Sequence, residues 1–101
     1  MDRLELHQIL TDILKSNNVY YQPPQSIKLN YPCIIYSREK IKSIYANDYS
    51  YTYNTKYKIV LIYKNPDEKI VYDIETKLPM CSHDSHYISN NLYHDAFYLY
   101  T

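Results

Sequence analysis

Between Tyr49 and Tyr63 an aromatic or aliphatic residue occupies nearly every odd position. Tyr49, Tyr51, Tyr53, Tyr57, Ile59, Leu61 and Tyr63 share one parity, and only Thr55 interrupts. A period of two is that of a β-strand. The even positions change character along the way: Ser50, Thr52, Asn54, Lys56 and Lys58 are polar, whereas Val60 and Ile62 are apolar. The pattern predicts one strand, longer than the usual five or six residues, wet on one face at first and covered on both faces near its end. Tyr57 to Tyr63 are expected in the core, and Tyr49 to Tyr53 are expected to project beyond it.

Two segments follow the helical period instead. Leu6, Ile9, Leu10, Ile13 and Leu14 recur at i, i+3, i+4, i+7, which predicts a helix over roughly residues 3–16. Asp2 and Glu5 fit its capping box, and Ser16-Asn17-Asn18 its stop. In KNPDEKIVYDIETKLP, Asn65 is expected to cap a second helix and Pro66 to take its first position. Ile70, Val71, Ile74 and Leu78 would line one face of it, with Pro79 just past its end.

Cys33-Ile34-Ile35-Tyr36 is an apolar run without alternation, as in a strand covered on both faces. The following Ser37–Ile44 stretch extends it or forms the arm of a hairpin of roughly residues 33–63, with Ala46-Asn47-Asp48 as the turn signal. Val19-Tyr20-Tyr21 is a short extended piece ended by Pro23-Pro24. Near the C-terminus the pattern gives a loop, a short strand near His86–Ile88, an Asn90-Asn91 turn and a last strand from Leu92 to Tyr100. That strand divides into Leu92, His94, Ala96, Tyr98 and Tyr100 on one face and Tyr93, Asp95, Phe97 and Leu99 on the other. The expected class is α+β: an antiparallel or mixed four- to five-stranded sheet with two amphipathic helices packed on one face, in the order α-β-β-α-β-β. Residues 1–101 are read as a single domain.

Composition alters this picture in three ways. Fifteen tyrosines, one phenylalanine, no tryptophan and no glycine supply rings that serve a core and a wet interface alike. An AT-rich coding sequence accounts for part of that bias. Eleven Lys and Arg against eleven Asp and Glu leave zero net charge, whereas binders of nucleic-acid backbone usually carry a basic surplus. Two cysteines make no disulfide framework, the start does not resemble a signal peptide, and no run reaches the ~20 apolar residues of a membrane helix. A soluble product of a reducing cytoplasm is expected.

The candidate chemistry is thin. Cys81, His83, His86 and His94 are zinc-ligand types, but C-x-H-x-x-H fits no common finger spacing and His94 falls on a separate predicted strand. The plainer reading, a polar loop beside a strand whose His94 and Asp95 make ordinary hydrogen bonds, is preferred, so no metal and no cofactor are expected. Neither cysteine has the context of a nucleophile paired with a base. Asp67 and Glu68 sit where a helix dipole already explains them, and a chain without glycine has no phosphate-cradling loop of the usual kinds. The chain is read as a non-enzyme. Its tyrosine stripe suits base stacking, yet alternation places Lys56 and Lys58 on the other face. Core plus protein interface is therefore favoured, a single-strand-binding platform being the alternative. The interface candidates are Tyr45, Asn47, Asp48, Tyr49, Tyr51 and Tyr53.

The segments YYQPP…YPCIIYSR, YANDYSYTYNTKYKIVLIYKNPD and LPMCSHDSHYISNNLYHDAFYLY, with the capped helices between them, resemble the tail terminator (tail completion) proteins of long-tailed bacteriophages over nearly the whole chain. The resemblance implies a small α+β subunit of the virion, made in the bacterial cytoplasm, that assembles with itself as a homo-hexameric ring. Such a ring sits on the last tail-tube subunits, stops their polymerisation and offers a surface to head-completion proteins of the neck. Genomic DNA would pass through the channel without specific binding, and no membrane is involved. Another neck or head–tail connector protein is the alternative within the same assembly.

Overall fold

The computed structural model describes residues 2–46 and 49–101, with residues 40–46 and 49–54 described in their backbone alone. Helix α1 (Arg3–Leu14) begins as the sequence predicts, with the Glu5 amide donating to Asp2 Oδ1 at 2.8 Å. It ends earlier than predicted. Lys15 takes the left-handed conformation (φ 59°) and donates its amide to the Thr11 carbonyl, so the Asn17-Asn18 pair is not the stop.

Among the described residues, five strands form one mixed sheet in the order β1-β2-β3-β5-β4. They are β1 (Val19–Tyr21), β2 (Cys33–Ala46), β3 (Tyr49–Tyr63), β4 (Cys81–Ser89) and β5 (Leu92–Tyr100). The predicted order omitted β1, which runs parallel to β2 with Val19 opposite Ile34. Three residues without alternation gave it little pattern, and it is held by its neighbour's ladder. Strand β4 is also longer than predicted, because pairing with β5 carries even its polar residues into a strand. The β4–β5 connection is the expected Asn90-Asn91 turn. Both residues have positive φ, 53° and 62°, as a two-residue turn matched to strand twist requires.

Helix α2 (Ile70–Lys77) starts later than predicted. Asn65 does not cap it: its side chain accepts from the Asp67 amide and its carbonyl from Glu68. That local turn satisfies the polar groups of Asn65-Pro66-Asp67-Glu68 without a helix. Eight residues are too few for a helix on propensity alone. Burial of Ile74 and Leu78, each worth roughly 1.5–3 kcal/mol, holds it in place.

Both helices cover one face of the sheet, as expected. Leu6, Leu10, Ile13, Leu14, Ile74 and Leu78 meet Ile34, Tyr36, Tyr57, Ile59, Leu61, Tyr63, Phe97 and Leu99 in one core. Tyr57 to Tyr63 thus hold the place that their parity predicts. Core tyrosines need partners for their hydroxyls. The Tyr36 hydroxyl lies 2.7 Å from His7 Nδ1 and 3.4 Å from Arg3 Nη1, which donates to it. Among the described residues, no helix is long and apolar enough to cross a membrane.

Candidate functional site: a projecting hairpin and two faces of the sheet

The β2–β3 hairpin outgrows the sheet that holds its root. β1 pairs with β2 only from Ile34 to Tyr36, and β5 pairs with β3 only from Lys56 to Tyr63. Thr55 exchanges two backbone hydrogen bonds with Thr101, and Gln22 Oε1 accepts from the Arg38 amide. Beyond these, the described strands 42–46 and 49–54 pair only with each other. The molecule accordingly measures 51 × 29 × 23 Å. Its radius of gyration, 14.7 Å, exceeds the about 13 Å of a compact chain of this length.

Two register shifts mark this arm. One lies between Arg38 and Lys40, with Glu39 as the extra residue. The other lies between Ile44 and Tyr45, whose partners are Thr52 and Ser50, so Tyr51 is extra on β3. Bulges bend and twist a ribbon, and the second interrupts the strict alternation from which the stripe was read. Tyr45, Tyr49, Tyr51 and Tyr53 thus lie on the arm's backbone with side chains outside the described part of the structure, and Asn47 and Asp48 fall outside the described residues altogether.

On the helix-covered face, β4 and β5 build a polar cluster. Asp95 is only 3% exposed. Its Oδ2 accepts from the Tyr63 hydroxyl, its Oδ1 lies 2.8 Å from His83 Nε2, and His86 Nδ1 lies 3.1 Å from both oxygens. His83 and His86 are three apart and would point to opposite faces of a regular strand. A shift between His83 and Ser85, opposite Phe97 and Ala96, inserts Asp84 and returns both to the face of Asp95. Burial alone would push the Asp95 carboxyl up; the hydrogen bonds from Tyr63, His83 and His86 outweigh it and hold the carboxyl below its ordinary value. Burial, then the Asp95 hydrogen bond and charge, raise the Tyr63 phenol well above its own.

The metal candidates do not come together as a set. His94 Nδ1 lies 3.1 Å from the Leu92 carbonyl, and its ring stacks on Tyr87 on the opposite face. Cys81 packs beside the core, and burial pushes its thiol and that of Cys33 up to about 11. Among the described residues, no group of three His, Cys, Asp or Glu side chains is placed to hold a metal ion. A cleft of about 390 Å³ borders the cluster, lined by Tyr63, His86 and Asp95 with Asp67, Glu68 and Tyr72 on the α2 side.

The helix-free face carries what the parity of β3 alone did not reveal. Lys56 pairs with Tyr100 and Lys58 with Tyr98, and cross-strand partners share a face. Lys56 Nζ sits 4.1 Å from the Tyr98 ring centroid and 5.8 Å from that of Tyr100. Farther along, Tyr87 and His94 stack at 4.8 Å, 14° from parallel. The lysines do lie opposite the tyrosines of their own strand, but β4 and β5 supply aromatics on the lysines' side.

No protein-family model, curated protein or solved structure matches this chain.

Proposed function

We propose that this chain is a phage structural protein, a tail terminator that caps the tail tube as a hexameric ring, stops tube polymerisation and forms the head–tail joining surface. The observation that carries the reading, beside the resemblance of its segments, is the two-stranded arm leaving a five-stranded body. A two-stranded ribbon is marginal in water on its own, and open strand edges are templates for pairing with another chain. An arm anchored at a packed root and free along its outer length therefore suits contact with a neighbour. A ring needs one such head-to-tail contact, repeated until it closes.

In this reading the arm, with Tyr45, Asn47, Asp48, Tyr49, Tyr51 and Tyr53, makes the subunit and tube contacts. The partners are further copies of the chain, the tube protein and the head-completion proteins, and the protein resides in the neck of the virion. No residue is assigned a catalytic role.

Deletion of the gene from the phage tests this. The expected outcome is DNA-filled heads detached from tails, with tubes of irregular or excessive length in electron micrographs. Normal-length tails joined to heads would refute it. Mixing purified protein with assembled tubes should add a six-fold ring to one tube end.

A further inference from the structure

We infer that the helix-free face of the sheet is a sequence-tolerant binding surface for single-stranded nucleic acid, with Lys56 and Lys58 on phosphates and the exposed rings of Tyr87 and Tyr100 under bases. The inference is independent of the ring reading.

Three observations meet on this face. It carries both cations and aromatics: Lys56 and Lys58 from β3, Tyr98 and Tyr100 from β5, and Tyr87 from β4. At its paired positions among the described residues there is no carboxylate. The acids nearest in sequence, Glu39 and Asp84, are the extra residues of two bulges. A neutral protein thus carries Lys56 and Lys58 on one face and its buried Asp95 on the other.

The rings are also placed for stacking. Tyr87 is 43% exposed and Tyr100 46%. Tyr87 is paired with His94, six strand positions from Tyr100 and thus about 20 Å along β5. Lys56 lies on the Tyr98 ring between those ends, a cation held without folding inward. Strand-borne rings with neighbouring cations are the working parts of single-strand binders. The proposed ligand is single-stranded because a duplex hides the faces of its bases.

Fluorescence anisotropy with a labelled oligothymidylate of roughly 12 residues tests the inference. Two phosphate contacts predict a log–log salt slope of about −1.4, so raising salt tenfold should weaken binding about 25-fold. The Lys56→Ala/Lys58→Ala variant should bind more weakly and lose that slope. Tyr87→Ala should weaken binding about fivefold or more, with Tyr87→Phe restoring it and Lys77→Ala, on α2, leaving it unchanged. Absence of binding at about 20 mM salt, or a salt slope that survives the double lysine variant, would overturn the proposal. So would equal affinity for a duplex of the same length, which indicates backbone contact alone. Displacement of the oligonucleotide by polyglutamate at lower concentration than by unlabelled oligothymidylate would overturn it in favour of an acidic protein partner.

Discussion

The Tyr63 hydroxyl donates to Asp95 Oδ2 across neighbouring antiparallel strands, and the two residues are diagonal partners on the helix-covered face. The bond satisfies both groups at once: a core tyrosine finds an acceptor, and a buried carboxylate finds a donor. Hydrogen bonds to charged groups contribute about 1.5–3 kcal/mol. Tyr63→Phe removes the donor, keeps the ring and leaves Asp95 with two histidines. A loss of about 1.5–3 kcal/mol is expected in urea unfolding, or roughly 4–8 °C in melting temperature per kcal/mol. Tyr87→Phe, on an exposed ring, should move neither by more than about 0.5 kcal/mol. Equal stability of Tyr63→Phe and the parent would mean that the bond contributes nothing.

The same carboxylate gives a pH dependence with a defined sign. Its folded value lies below the ordinary 3.8, so the unfolded chain takes up the proton first as pH falls. Asp95 therefore contributes stability that is complete above 3.8 and is lost as pH falls through the lower folded value. Asp95→Asn cannot titrate. The stability difference between parent and variant should shrink as pH falls below the ordinary carboxylate range. Denaturant midpoints taken at several acidic pH values will show this. A constant difference throughout the acid range would show that the carboxyl is not held low.

How the chain manages without glycine supplies another test. Among the described residues, five take positive φ: Lys15, Gln22, Met80, Asn90 and Asn91. Left-handed backbone disfavours most side-chain-bearing residues by about 1–2 kcal/mol, and asparagine tolerates it best. At Lys15, which closes α1 with φ 59°, glycine would remove that strain. Its extra unfolded-state entropy offsets about 0.5–1 kcal/mol. Lys15→Gly should thus stabilise the protein by about 0.5–1 kcal/mol in equilibrium unfolding. Destabilisation would mean that the lysine side chain contributes more to the helix end than its backbone strain takes away.

Those positions also show what the sequence did and did not reveal. Asn90-Asn91 was legible as a turn because asparagine marks left-handed backbone, whereas Lys15, Gln22 and Met80 carry no such mark. The parity of Tyr57, Ile59, Leu61 and Tyr63 located the core, since β3 is regular there and the helices cover one face. Parity failed where a strand carries an extra residue. Glu39, Tyr51 and Asp84 have no glycine or proline beside them to announce a bulge, and each resets the alternation. The convergence of His83 and His86 on Asp95 was hidden for that reason. The pairing of Lys56 and Lys58 with Tyr100 and Tyr98 was hidden for another, because strand order is a long-range choice that local pattern does not encode.

The arm can be removed without disturbing the body. Thr55 turns its amide and carbonyl to Thr101, so the next pair along, Lys42 with Asn54, is a hydrogen-bonded one, and two-residue Asn-Gly turns close such pairs. Replacing residues 43–53 by Asn-Gly keeps the Lys40–Lys56 pairing and every described core residue. The shortened chain should melt within a few degrees of the parent, since a two-stranded ribbon adds little stability by itself. If the arm closes the ring, that variant should remain monomeric on tubes that the parent caps, and it should fail to restore tailed particles to a phage lacking the gene. Light scattering and micrographs of the complemented lysate measure both. A shortened protein that still caps tubes would place the ring contacts on the body instead of the arm.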